Sequence, residues 1–181
     1  MKKLPILFVL ALCITMWSCL GDTKTTWEAY KSWRETNLEY YNEMKDTVDK
    51  DGQKFYTEIV PSWNQGVSIL MHHFNESNPD SLRPLPTSEV AVKYRGTLYN
   101  GIPFDSSYLR TDSLYYTRVD ENIVGWIIAL TNMRVGDSCR VVLPYNVAYG
   151  NQSMSSVIRP YSTLLFDIKL EKCWVERQEV H

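Results

Sequence analysis

An alternation of apolar and polar residues in two stretches of the second half of the chain constrains its fold more than any other feature. In residues 90–95, Val, Val and Tyr alternate with Ala, Lys and Arg, and in the stretch 163–174 an apolar side chain recurs at positions 164, 166, 168 and 170. Side chains of a β-strand point alternately to opposite faces, so both stretches predict half-buried strands. Between them, apolar residues at helical spacing over residues 124–133 predict a short helix with an inward-facing stripe. Several antiparallel strands around one helix indicate an α+β domain.

The first half of the chain predicts a helical extension followed by short strands. Bulky residues recur at three- and four-residue spacing over residues 26–48, which is typical of an amphipathic helix, and Asp49–Gly52 ends it. The simpler interpretation is a helix docked on its own domain, and a dimerisation helix is the alternative. Residues 55–60 and 67–74 are strand candidates, and the segment 75–87, which contains three prolines, is a predicted loop.

The N-terminus has the pattern of an export signal. Residues 1–3 carry positive charge, and residues 4–17 are uncharged but too few to span a bilayer. The sequence that ends at Cys19 resembles a bacterial lipobox, so we expect a lipoprotein signal peptide over residues 1–18 and acylation of Cys19, which would anchor the protein to a membrane. Ordinary secretion is the alternative. Leu20 after the cysteine resembles an outer-membrane sorting signal, which predicts a location in the cell envelope at the outer membrane.

Composition and the remaining motifs exclude several classes of function. The 181 residues carry a formal net charge of -2, so the chain has no basic field for nucleic acid. Cys139 and Cys173 show no metal-ligand spacing, and the sequence leaves open whether they pair or remain free buried thiols. His72 and His73 are adjacent on a predicted strand and point to opposite faces, which disfavours a metal site. The chain also lacks a nucleophile-elbow pattern of the hydrolase type.

Three segments occur in an order that resembles one known family. The first is Val92–Ser107, with the sequence VKYRGTLYNGIPFDSS, and the second is Ile123–Trp126, with the sequence IVGW. The third combines Ala148–Gly150, Ile158–Pro160 and Ser162–Asp167, with the sequences AYG, IRP and STLLFD. Together these segments resemble the FKBP family of peptidyl-prolyl cis-trans isomerases. The resemblance implies a five-stranded antiparallel sheet wrapped around the short helix, with a substrate pocket between them.

The resemblance also implies a set of pocket residues. Carried over position by position, they are Tyr94, Phe104, Asp105, Ile123, Trp126, Tyr149, Ile158 and Phe166. Trp126 is expected to form the floor of the pocket. The backbone N–H of Ile123 and the hydroxyl of Tyr149 are expected to donate hydrogen bonds to carbonyls of the bound peptide. Asp105 is expected to lie beside the twisting amide, and Arg110 matches a supporting basic residue that pairs with this aspartate.

At three places the match to the family leaves a question. Arg159 replaces the first proline of the family's I-P-P and is expected to put a charge near the pocket rim. Asn122 replaces an apolar residue before Ile123. One further pocket aromatic is expected within residues 114–116, but a length change near residues 119–122 leaves its register open.

The sequence therefore predicts four segments and one function. The segments are a signal peptide at 1–18, an extension with the amphipathic helix at 19–65, an isomerase domain at 66–176 and a tail at 177–181. The predicted function is cis-trans isomerisation of X-Pro bonds in envelope or secreted proteins, with no cofactor or metal. Proline-containing clients and macrolide inhibitors are the expected ligands, and the oligomeric state stays open. The alternatives are a non-catalytic peptide-binding or chaperone lipoprotein, and a surface lipoprotein whose helix contacts a partner.

Overall fold

The computed structural model describes residues 25–174, so the predicted signal peptide, Cys19 and the C-terminal tail lie outside the described residues. The predicted N-terminal helix is present as two helices, α1 (Thr26–Ala29) and α2 (Lys31–Asp46). Thr25 starts α1 through a capping box, because its hydroxyl accepts from the Glu28 N–H and the Glu28 carboxylate accepts from the Thr25 N–H. Within residues 25–174, no helix has the length and apolar character needed to cross a membrane.

The strands form one antiparallel sheet that is larger than predicted. Its strands are β1 (Thr57–Ile59), β2 (Ile69–His73), β3 (Glu89–Leu98), β4 (Pro103–Ser106), β5 (Tyr115–Arg118), β6 (Ser138–Leu143) and β7 (Leu164–Trp174). They lie in the order β1-β2-β6-β7-β3-β4, and β5 also pairs with β3. The prediction of five strands was wrong: the sheet has seven. β1 and β2 precede the family-like segments and pair onto β6, which would otherwise be an exposed edge.

One face of the sheet wraps around the short helix α3 (Val124–Thr131). Because side chains alternate along each strand, Met71, Val141 and Phe166 point into this core with Trp126 of the helix. Gly125 lets the helix lie close to β6, since a Cβ at this position would lie 2.7 Å from the Leu143 methyl groups. The helix is therefore positioned by a residue without a side chain.

The opposite face is covered by α2. Its Tyr41 packs in a second cluster with Tyr56, Leu70 and Val142, all of them buried. Leu70 and Val142 are directly opposite each other in the β2–β6 register, and the next pair, Met71 and Val141, faces the other core. The helix therefore packs on its own domain, which agrees with the simpler interpretation of its amphipathic pattern.

The two cysteines of the sheet are free thiols. Cys139 on β6 is opposite Ile168, whereas Cys173 on β7 is opposite Val90, so the backbone places them at different levels of the sheet. The Cys139 sulfur lies 3.2 Å from Nδ1 of His73. Burial, followed by the nearby charge of Asp137, raises the pKa of the Cys139 thiol to about 12. The thiol is therefore protonated at neutral pH and a poor nucleophile.

Candidate active site

A cavity of about 460 Å³ lies between the curved sheet and α3. All nine residues that the sequence assigned to the pocket and its support line it: Tyr94, Phe104, Asp105, Arg110, Ile123, Trp126, Tyr149, Ile158 and Phe166. Four further residues complete the lining, namely Tyr115, Glu121, Asn122 and Ser155. Segments that are as much as 72 positions apart in the chain, from Tyr94 to Phe166, therefore converge on one hollow.

The cavity is built on edge-to-face aromatic contacts. Trp126 is 4% exposed, and its ring centroid lies 5.0 Å from that of Tyr94 and 5.3 Å from that of Phe166, both nearly perpendicular. Phe104 contacts Phe166 in the same way at 5.4 Å. Such contacts stabilise ring pairs beyond their buried area. Trp126 thus lies among fixed aromatic walls in the first turn of α3.

Gly96 lets the Phe104 ring reach this position. A Cβ at residue 96 would lie 2.6 Å from Cε2 and Cζ of Phe104 and 3.0 Å from Cε1 of Phe166. The β3–β4 register also shifts between Gly96 and Thr97, which bends the strands beside the cavity. Phe104 therefore depends on glycine for its place in the wall.

Tyr94 and Asp105 form the polar pair of the cavity. The Tyr94 hydroxyl donates to Oδ2 of Asp105 at 2.5 Å, and the Ser106 N–H donates to Oδ1 at 2.7 Å. Burial raises the pKa of Tyr94 well above its ordinary value, and the Asp105 carboxylate raises it further. The hydroxyl therefore stays protonated at neutral pH and holds the carboxylate in one orientation.

The prediction that Arg110 pairs with Asp105 differs from the structure. Among the described residues these two side chains do not form a salt bridge, although both line the cavity. The Arg110 guanidinium instead lies over the Tyr115 ring, 5.0 Å from its centroid, and near enough to the Tyr94 hydroxyl to oppose the rise of its pKa. The Asp105 carboxylate accepts instead from the Tyr94 hydroxyl and the Ser106 N–H.

Two hydrogen-bond donors at the cavity have no partner among residues 25–174. The N–H of Ile123 precedes the first turn of α3 and donates to no group there, although the Ile123 carbonyl accepts from Trp126 at 2.9 Å. The Tyr149 hydroxyl is also without a partner in this part of the chain. Burial, followed by the charge of Asp105, raises the pKa of Tyr149. Both groups can therefore donate to a ligand carbonyl.

The structure resolves the register that the sequence left open. Tyr115 is opposite Val92 and lines the cavity, whereas its neighbour Tyr116 points outward and is 55% exposed. Asn122 also lines the cavity, and its amide donates to the carbonyl of Arg118 at 2.8 Å and to Oγ1 of Thr117 at 3.1 Å. The side chain of Asn122, just before Ile123, therefore hydrogen-bonds to acceptors of the turn that precedes α3.

Glu121 and Ser155 were not predicted, because the first ends a single turn of 3-10 helix and the second lies in a loop, and neither segment is long enough for a periodicity to fix its direction. Arg159 does not line the cavity, so the expected charge near the rim is directed elsewhere. Its guanidinium lies over the Trp33 ring of α2, 5.0 Å from the centroid. In residues 25–174, no three His, Cys, Asp or Glu side chains are grouped so as to hold a metal ion.

Comparisons with known proteins point to one family. Its description is FKBP-type peptidyl-prolyl cis-trans isomerase, and its pattern matches residues 81–171, about half of the chain. FK506-binding protein 4 of Dictyostelium discoideum is 42% identical over 92 residues, which are 50% of this chain and 25% of that protein. FkpA of Escherichia coli, named an FKBP-type peptidyl-prolyl cis-trans isomerase, is 40% identical over 87 residues, or 48% and 32% of the two chains. The chain thus spans only a quarter to a third of these two relatives' length.

Solved structures extend the likeness to the N-terminal helices. A crystal structure of a peptidyl-prolyl cis-trans isomerase from Pseudomonas syringae pv. tomato is similar with a TM-score of 0.66 and 25% identity, covering 81% of this chain and 96% of the other. The crystal structure of E. coli FkpA gives a TM-score of 0.62 at 25% identity, covering 95% and 83%. The matched residues include every predicted wall of the cavity, and the chain belongs to the FKBP-type peptidyl-prolyl cis-trans isomerase family.

Proposed function

We propose that the protein catalyses cis-trans isomerisation of X-Pro bonds in the cavity above Trp126. The observation that carries the proposal is the pairing of an aromatic wall with two donors that have no partner among residues 25–174, the Ile123 N–H and the Tyr149 hydroxyl. A proline ring fits flat apolar walls, and the donors bind the carbonyls on either side of it. Polar groups placed beside apolar and aromatic walls are typical of a small-ligand site.

Catalysis on this proposal follows from the loss of water around the amide. An uncatalysed X-Pro bond crosses a barrier of ~18–20 kcal/mol because resonance keeps the peptide planar. That resonance separates charge, and water favours the separated charges. Transfer of the imide from water to the aromatic wall of Tyr94, Trp126 and Phe166 weakens the resonance and lowers the cost of twisting.

Asp105 has a role in orientation on this proposal. Its carboxylate is fixed by the Tyr94 hydroxyl and the Ser106 N–H, so it can present negative charge beside the twisting amide without moving. No bond of the substrate is made or broken, and no nucleophile takes part. Macrolides, which the family binds generally, are proposed as competing ligands of the same cavity.

Turnover of a short X-Pro peptide by the purified chain tests the proposal. Phe104→Ala removes one wall, and Tyr116→Ala is the matched control because this aromatic points away from the cavity. We expect the first variant to lose most of its turnover and the control to keep it. A folded wild-type chain that binds the peptide without isomerising it contradicts the proposal and supports the alternative of a non-catalytic peptide-binding or chaperone module.

We also propose that the protein acts on envelope or secreted clients while anchored through Cys19 at the outer membrane. The support is the charged start, the uncharged residues 4–17 and the lipobox-like sequence before the cysteine. Growth of the producing cell with a taggable fatty acid tests the anchor. We expect label on the wild-type chain and none on Cys19→Ala, and a labelled variant would overturn the assignment of the acylated residue.

A further inference from the structure

The loop between Tyr149, which lines the cavity, and the last strand has contacts on two sides. This pocket loop, residues 150–163, follows Tyr149 directly and ends where β7 begins. On one side it supplies Ser155 and Ile158 to the cavity. On the other side it lies against helices α1 and α2 of the N-terminal extension, which themselves contribute nothing to the cavity lining.

The innermost contact joins Asn37 of α2 to the end of the pocket loop. Asn37 is 1% exposed, and its Oδ1 accepts from the Thr163 N–H at 2.7 Å. The Thr163 hydroxyl donates back to the Asn37 carbonyl at 2.9 Å. Because both residues are buried, loss of either partner leaves a polar group without water or protein to bind. The C-terminal end of the loop is therefore fixed to the helix.

The second contact reaches the residue after Ile158. The Trp33 indole N–H donates to the Ser162 hydroxyl at 3.2 Å, and that hydroxyl donates to the Arg159 carbonyl at 2.7 Å. The Arg159 guanidinium returns over the Trp33 ring at 5.0 Å. Trp33 thus holds both the backbone and the side chain of Arg159, whose neighbour Ile158 is a wall of the cavity.

The third contact fixes an unusual backbone conformation. Tyr161 has a φ of 64°, a left-handed value that is uncommon for a bulky residue. Its N–H donates to the Gly150 carbonyl at 2.8 Å, and its ring meets the edges of Trp27 at 5.3 Å and Tyr145 at 5.3 Å. Such a conformation persists only where the surroundings fix it. α1 therefore contributes to the fold of the loop.

We infer that the N-terminal helices are a positioning element for the isomerase cavity. Trp33 is the positioning residue that sets the place of Ile158 and of the pocket loop. The inference rests on the function proposed above. Without the Trp33 contact the pocket loop samples positions in which Ile158 is displaced from the cavity wall. Substrate affinity then falls in proportion to the fraction of molecules that keep the competent loop, whereas the chemistry in those molecules is unchanged.

Steady-state isomerisation of an X-Pro peptide by the full chain tests this inference. Arg159→Ala removes one exposed cation–π contact, and we expect KM to rise about two- to fivefold with kcat unchanged. Trp33→Ala is expected to raise KM further, and Trp33→Phe, which keeps a ring under the guanidinium, is expected to recover part of the loss. Leu38→Ala is the matched control, because Leu38 lies on α2 but is 49% exposed.

Amide hydrogen exchange provides the second readout. The Tyr161 N–H, bonded to Gly150, is expected to exchange faster in Trp33→Ala and Arg159→Ala, with amides of β3 and β7 unchanged. A folded Trp33→Ala chain with wild-type KM and wild-type exchange at Tyr161 overturns the inference. If Trp33→Ala does not fold, Arg159→Ala decides by the same two readouts. If the wild-type chain lacks turnover, the proposed function fails, and exchange at Tyr161 still decides whether the helices position the loop.

Discussion

The two faces of the sheet contain similar side chains, but one face is covered by α2 and the other lines a cavity of about 460 Å³. On the face covered by α2, the Tyr41 hydroxyl is bonded to Ser68 at 3.1 Å, and the Asn37 amide is bonded to Thr163. On the face that wraps α3, the Ile123 N–H and the Tyr149 hydroxyl have no partner among residues 25–174. Both faces are rich in aromatic rings.

The difference shows what distinguishes a site from a core in this molecule. Aromatic content does not distinguish the site from the core, because Tyr41 and Tyr56 on the covered face are as buried as the aromatic walls of the cavity. Donors that line a hollow and have no protein partner are free to bind a ligand, so the cavity beside them indicates a binding site. The core under α2 contributes stability, while α2 itself also contacts the pocket loop, and the other face carries the proposed binding site.

The largest effect is expected from a change in the packed face. Leu70→Ala removes a fully buried side chain from the cluster with Tyr41 and Val142. We expect the free energy of unfolding to fall by about 2–5 kcal/mol, because a cavity remains where the side chain was. Denaturant titration measures the loss. The isomerase kcat/KM of the folded fraction is expected to stay at the wild-type value, and a proportional loss of kcat/KM would contradict the separation of the two faces.

A smaller effect on stability but a larger one on activity is expected at Gly96. Gly96→Ala introduces a Cβ into the space of the Phe104 ring. The ring is at the half-buried end of the wall and can move, so we expect a loss of about 1–3 kcal/mol in unfolding free energy. The displaced ring narrows the cavity and raises KM. Gly101→Ala is the control for KM: its φ of 81° strains any side chain, so stability falls there too, but a Cβ meets no atom within 4 Å and KM is expected to stay at the wild-type value.

Much of the site could be predicted because its residues lie on regular elements within the family-like segments. Tyr94 and Phe166 alternate correctly on β3 and β7, and Trp126 lies on the helical stripe, so the pattern alone gives their direction. The choice between Tyr115 and Tyr116 could not be made. It depends on the register of a short strand, and a shift of one residue moves each side chain to the other face.

The other errors concern contacts between distant parts of the chain. Arg159 turns toward Trp33, which is 126 positions away in the sequence, and no local pattern encodes that choice. Arg110 lies over the Tyr115 ring, while the Asp105 carboxylate accepts from Tyr94, which the sequence pattern does not encode. β1 and β2 were recognised as strands in the sequence but not assigned to the sheet, because strand pairing is a property of the whole fold.

A matched pair of tyrosine variants sharpens the comparison between the faces. Tyr149→Phe removes an unpartnered donor from the cavity, and Tyr41→Phe removes a hydroxyl that is bonded to Ser68. We expect the first to weaken binding of an X-Pro peptide by about 0.5–1.5 kcal/mol with little change in unfolding free energy. We expect the second to cost a similar amount of stability and to leave peptide affinity unchanged. The reverse pattern would show that unpartnered donors do not mark the site.

The smallest effect is expected from alkaline pH, where the cavity tyrosines should resist ionisation. Burial raises the pKa of Tyr94 and of Tyr149 above the ordinary value of 10.0, so both phenols stay protonated while exposed tyrosines begin to ionise. We therefore expect kcat/KM to be nearly constant from about pH 8 to about pH 10. An inflection within that window that disappears in Tyr149→Phe would contradict the raised pKa.

The pH dependence of stability differs from that of turnover. A raised pKa in the folded state means that the unfolded chain loses its protons first. The free energy of unfolding therefore falls as the pH rises above about 10.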